Sequence, residues 1–121
     1  MGVINASPLG MGLLTPGGPP AWHPAPPGLL AACKSAVETC RAQGIDVSQV
    51  AIAQALREPG VVSTLVGMCT VDEVRRNVGI ATAALQDGAA AADAAVVAAL
   101  LPTWQAAGPV TWPSGLPENN A

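Results

Sequence analysis

The spacing of apolar positions changes several times along the chain, and each change predicts an element. Gly2-Val-Ile-Asn-Ala-Ser7 is rich in β-branched residues and is closed by Pro8. It reads as a short buried strand ending at Ser7. A Gly-rich loop, Leu9 to Leu14, follows. Thr15 to Gly28 then holds Pro16, Pro19, Pro20, Pro24, Pro26 and Pro27, which predicts an irregular loop. Leu29, Leu30, Cys33, Val37 and Cys40 recur at helical spacing, with Lys34 and Glu38 an i, i+4 pair on the other side and Gly44 as the stop. Ser48 is the expected N-cap of a second helix with Val50, Ala53 and Leu56 as its stripe, broken by Pro59-Gly60.

Val61 to Val66 predicts a second buried strand. Thr70 and Glu73 have the spacing of a capping box, and Val71, Val74 and Val78 give the expected apolar side of a third helix. A fourth, Ala-rich helix is expected over Ala89 to Leu101, and an extended surface tail over 102–121. Strands alternating with helices imply an α/β class with parallel pairing. Two parallel strands leave their outer edges unpaired, and parallel sheets need cover on both faces. The pattern therefore predicts a slice of a larger α/β fold, incomplete on its own.

Composition narrows this further. The 121 residues are 50% apolar, yet there is no Phe or Tyr and only three Trp. Small side chains remove little area each, at roughly 25 cal/mol per Å², so a thin core is expected. The formal charge is −3, with five Lys and Arg, which excludes a nucleic-acid partner needing a basic face. With one His and three Cys without CxxC spacing, no metal site is expected. Cys33 and Cys40 are read as buried small apolar groups. Ala89 to Leu101 is too short to span a bilayer, and the start has no basic leader. A soluble, cytoplasmic protein without membrane contact is the expectation.

Three stretches carry a family resemblance. Ile4-Asn-Ala-Ser-Pro-Leu-Gly-Met-Gly-Leu-Leu-Thr15 resembles the seventh strand and following loop of aldo-keto reductases. Gln49-Val-Ala-Ile-Ala-Gln-Ala-Leu-Arg-Glu-Pro-Gly60 resembles the helix before strand eight. Val66-Gly67 with Val71-Asp-Glu-Val-Arg-Arg-Asn77 resembles the end of strand eight and the start of its cofactor-binding helix. Gly18-Pro-Pro-Ala-Trp-His-Pro-Ala25 and Thr111-Trp-Pro-Ser-Gly115 are similar to members of the L-galactose dehydrogenase type.

The resemblance implies that residues 1–121 are the C-terminal part of a TIM-type (β/α)8 barrel domain, its last two strands and their helices. Met1 then falls where a longer parent would continue upstream. It implies NAD(P)-dependent oxidation of L-galactose to L-galactono-1,4-lactone, a step towards ascorbate, with a small-molecule sugar as substrate. The family's catalytic tetrad of Asp, Tyr, Lys and His comes from earlier strands, so no catalytic residue is assigned here. His23 and Lys34 lie outside the matching motifs and do not take those roles. This chain alone is expected to be inactive. The other reading is a non-catalytic remnant, or a small binding module that folds only with a partner.

The cofactor residues implied by the resemblance fall in two groups. Ser7 matches a serine at the pyrophosphate, and Leu9, Gly10, Met11 and Gly12 would present amides to the phosphates. Met68, Cys69 and Thr70 would face the adenosine end, and Asn77 matches an adenine contact. Ala6 stands where many members carry an aromatic ring that stacks on nicotinamide. No Lys or Arg occurs between positions 68 and 73, whereas Asp72 and Glu73 are acidic. That favours NAD over NADP, whose 2′-phosphate would be repelled. Trp22 and His23 are candidate sugar contacts, set against a plainer role in pinning the long loop.

Overall fold

A computed structural model describes residues 2–86 and 89–113. Two strands, β1 (Val3–Ala6) and β2 (Val61–Leu65), pair in parallel as the alternation predicts. Val3 pairs with Val61 and Ile4 with Ser63, so the register shifts and Val62 is the extra residue of a bulge. Between the strands lie a 3₁₀ turn at Gly10–Gly12 and helices α1 (Pro27–Ala42) and α2 (Val47–Arg57). Helices α3 (Val71–Ala84) and α4 (Ala89–Ala106) follow β2.

Both strands were expected to be buried, and neither is. Val3, Ile4, Val62 and Leu65 are exposed, and only Asn5, Val61 and Thr64 are partly covered. The cause is geometric: two strands offer two outer edges and more face than the neighbouring helices cover. The core lies among the helices instead. Ala36, Cys40, Val47, Val50, Val96 and Leu100 join α1, α2 and α4, whereas Ile52, Ala53, Ile80 and Ala84 join α2 to α3.

Helix α1 starts at Pro27, inside the predicted loop, because proline's fixed φ and missing N–H suit the first helical position. It ends in a Schellman arrangement. Gly44 takes φ +71°, the Gly44 amide reaches the Arg41 carbonyl, and the Ile45 amide reaches that of Cys40. Lys34 and Glu38 form no ion pair among the described residues.

The cap of α2 is Asp46, not Ser48. Its carboxylate accepts from the Ser48 amide at 2.9 Å and from the Ser48 hydroxyl at 2.6 Å. Ser48 sits inside the helix, 0% exposed. In α3 the expected stripe of Val71, Val74 and Val78 points to solvent, whereas Ile80 and Ala84 face α2 and Asn77 is buried. Helix α4 continues through Pro102 to Ala106, five residues beyond its predicted end. Pro102 removes one intrahelical bond without ending the helix. The tail thus begins later than expected, and its residues 114–121 lie outside the described residues. Arg57 clasps the helices together, donating to the Ala84 carbonyl at 3.0 Å and to Asp93 at 2.7 Å.

Candidate cofactor site at the C-terminal strand edge

Because β1 and β2 are parallel neighbours, both chains leave the sheet at the same edge. The Ser7 amide donates to the Leu65 carbonyl at 3.0 Å and extends the pairing to the last residue before each loop. The two groups of residues singled out in the sequence, Ser7–Gly12 and Met68–Asn77, therefore flank one edge.

The first loop is a folded turn. Ser7 is exposed and takes φ +54°, and its carbonyl accepts from the Gly10 amide at 2.9 Å. The Leu9 carbonyl accepts from Gly12 and Leu14, and the Gly10 carbonyl accepts from Leu13. The amides of Gly10 and Gly12 are thus spent inside the turn. Of the four residues expected to offer amides to phosphate, Leu9 and Met11 are left. Met11 takes φ +52°, unusual for a residue with a side chain. Gly12 has φ +99°, and a Cβ there would lie 3.0 Å from the Gly18 carbonyl oxygen. Its glycine is required by the Pro-rich loop crossing it.

That loop is pinned by His23, not by Trp22. His23 is 8% exposed, while Trp22 is 71% exposed, so the expected hydrophobic anchor is absent at Trp22. His23 Nε2 lies 3.0 Å from the Gly10 carbonyl oxygen, and Nδ1 accepts from the Ala25 amide at 3.1 Å. The Trp112 and His23 rings lie edge-on to each other, with centroids 5.0 Å apart. Both ring nitrogens are engaged internally, so His23 has none to offer a sugar as it stands.

At the start of α3 the capping box forms as its spacing predicts. Thr70 Oγ1 accepts from the Glu73 amide at 3.1 Å, and Glu73 Oε2 accepts from the amides of Cys69 at 2.6 Å and Thr70 at 3.0 Å. These amide bonds hold the Glu73 carboxyl below the ordinary carboxylate range. Met68, Cys69 and Thr70 are exposed around it. One turn further, Asn77 is 7% exposed and its Oδ1 is buried without a hydrogen-bond partner. A buried acceptor left open costs free energy unless something donates to it. Arg75 lies 3.5 Å from Asp72, and Arg76 lies 4.0 Å from Asp46.

An open cavity of about 350 Å³ is lined by Ser7 and Gly10 together with Leu29, Cys33, Trp104 and Trp112. Trp104 is not expected here, because its segment reads as tail. Trp112 could have been suspected from the Thr111-Trp-Pro-Ser-Gly115 resemblance. Burial pushes the thiols of Cys33 and Cys40 up from their ordinary range, as their reading as buried apolar groups requires. Among the described residues, no three of His, Cys, Asp and Glu come together as metal ligands. No helix among them is long and apolar enough to cross a membrane.

The chain is 41% identical over 119 residues to the L-galactose dehydrogenase of Arabidopsis thaliana. The match covers 98% of this chain and 36% of that protein, so the chain spans about a third of its relative's length. Residues 1–96 match the aldo/keto reductase family. That family match spans most of the chain, and the chain belongs to the aldo/keto reductase family.

Proposed function

We propose that this chain is the C-terminal part of a (β/α)8-barrel oxidoreductase in which it supplies the loops that bind NAD. The observation that carries the reading is the shared strand edge, from which both candidate loops leave. In such barrels the loops after the last two strands are a frequent phosphate site. The reaction class is oxidation of a sugar, with L-galactose going to its 1,4-lactone on the way to ascorbate in the cytosol. The similarity to L-galactose dehydrogenase supports it.

The residues present fit a nicotinamide dinucleotide. The orphaned Asn77 Oδ1 is an acceptor for an exocyclic amine such as that of adenine. The Leu9 and Met11 amides and the Ser7 hydroxyl are available for phosphate oxygens. When bound, the nicotinamide supplies the hydride acceptor. This chain's part is to hold and orient it. The chain contains no Tyr, so proton transfer falls to the family's tetrad on earlier strands. Glu73 occupies the Cys69 and Thr70 amides with its own carboxylate, which opposes a 2′-phosphate at the same place and favours NAD over NADP.

The test is a chimera of the upstream part of the Arabidopsis thaliana enzyme with this chain. It is expected to reduce NAD with L-galactose and to prefer NAD to NADP by about tenfold or more in kcat/KM. A chimera that folds, by circular dichroism and a cooperative melt, but shows no turnover overturns the reading. That outcome selects the alternative, a non-catalytic remnant or binding module completed by a partner, which the exposed Val62 and Leu65 favour.

A further inference from the structure

The His23 ring is fixed in one tautomer by its neighbours. Nδ1 accepts from the Ala25 amide and so carries no hydrogen, which places the proton of the neutral ring on Nε2. That N–H donates to the Gly10 carbonyl oxygen at 3.0 Å. The Leu13 amide donates to the same oxygen at 3.2 Å, so two donors draw it inward. The Gly10 carbonyl and the Met11 amide belong to one trans peptide plane and point in opposite directions. Pulling the carbonyl towards buried His23 turns the Met11 N–H the other way. Met11 is 42% exposed, and its positive φ needs neighbours to hold it.

We propose that His23 is a positioning residue for cofactor binding: by anchoring the Gly10 carbonyl it aims the Met11 amide outward as a donor for a pyrophosphate oxygen. This rests on the NAD-binding reading above. The loop otherwise offers only Leu9, since the Gly10 and Gly12 amides are spent internally. The rings of Trp112, in a T-shaped arrangement, and Trp22, stacked, flank the imidazole with centroids 5.0 and 6.5 Å away.

Two substitutions separate the two ring nitrogens. In His23→Gln the terminal amide can still donate where Nε2 did but cannot replace the Nδ1 acceptor. In His23→Asn the side-chain oxygen can still accept from Ala25, but the chain is too short to reach Gly10. Each loses one hydrogen bond, so their melting temperatures should fall by similar amounts. Their NAD affinities should part. By calorimetry on this chain, His23→Gln should stay within about threefold of the unmutated Kd, and His23→Asn should be about tenfold to a hundredfold weaker. In parallel, the three-bond amide coupling of Met11, which reports its φ, should persist in the Gln variant and change in the Asn variant. Affinities that follow stability alone, or a Met11 coupling unchanged in both variants, overturn the proposal. If the unmutated chain alone does not bind NAD, the Met11 coupling decides the latch and the chimera decides the cofactor reading. If the Asn variant does not fold, the unmutated chain decides: NAD binding that leaves the Met11 amide resonance unmoved refutes the proposal, and a shift there supports it.

Discussion

Removing the Asp46 carboxylate should destabilise the protein more than removing it together with the Ser48 hydroxyl. In the structure Asp46 Oδ1 serves two donors, the Ser48 amide at 2.9 Å and the Ser48 hydroxyl at 2.6 Å. Asp46→Ala loses the cap, at about 1 kcal/mol. It also strands a hydroxyl on a residue that is 0% exposed, at about 1–3 kcal/mol. The total is about 2–4 kcal/mol, or roughly 8–16 °C in Tm for a domain of this size. Ser48→Ala leaves the cap intact and gives up one hydrogen bond, about 1 kcal/mol or less. In the double variant no hydroxyl is stranded, so the cost returns towards that of the cap alone. The expected order is therefore unmutated, Ser48→Ala, double, then Asp46→Ala as least stable. Urea unfolding of the four proteins closes the cycle. If the double variant is the least stable, with the two costs simply adding, the shared carboxylate is not what keeps Ser48 buried.

Two further outcomes follow from the ionisable groups. The Glu73 carboxyl is held below its ordinary value of 4.5 by the Cys69 and Thr70 amides, so its contribution is fully present above that value and is lost as pH falls through the lower folded value. Amide resonances of Cys69 and Thr70 should move together over that acidic range, and Glu73→Gln should abolish the movement; a transition that survives the substitution assigns it to another group. Cys33 and Cys40 are buried with thiols pushed up, whereas Cys69 is exposed. A thiol reagent at neutral pH should modify Cys69 quickly and the other two only with unfolding, and three equally fast thiols would contradict the packing.

The order of elements was legible because each carries its own local signal. The β-branched runs put both strands within a residue or two of their places, and Thr70 with Glu73 marked the start of α3 from spacing alone. What was not legible is which face meets a neighbour. In α3 Val71, Val74 and Val78 stand three and four residues apart, but so do Asn77, Ile80 and Ala84. Only the position of Ile52 and Ala53 on α2 decides between the stripes. Ser48 is an acceptable cap by residue type, and so is Asp46 two places earlier. The carboxylate can take two donors at once, which lets Ser48 sink into the core. For His23 the pinning role was legible from its place in the Pro-rich loop, but its partners were not, since Gly10 and Trp112 are distant in sequence and the Gly10 bond is to a backbone carbonyl.

The exposed strands bear on how the candidate site holds its shape. Near-continuous apolar strands suit a sheet covered on both faces, yet Val3, Ile4, Val62 and Leu65 are open. Strand packing therefore cannot be what fixes the loops. Leu9 instead rests on the Ile52, Ala53, Ile80 and Ala84 cluster between α2 and α3. Leu13 is buried with Ala25, Leu29 and Cys33 against α1. The turn between them is closed by its own amides and by His23. The second loop is closed by Glu73, which belongs to α3. Both loops are thus held by helices, and the strands contribute their common direction and the Ser7–Leu65 bond. A surface assembled in this way keeps its donors in place whether or not the sheet is covered, and covering the sheet would add stability to a geometry the helices already hold.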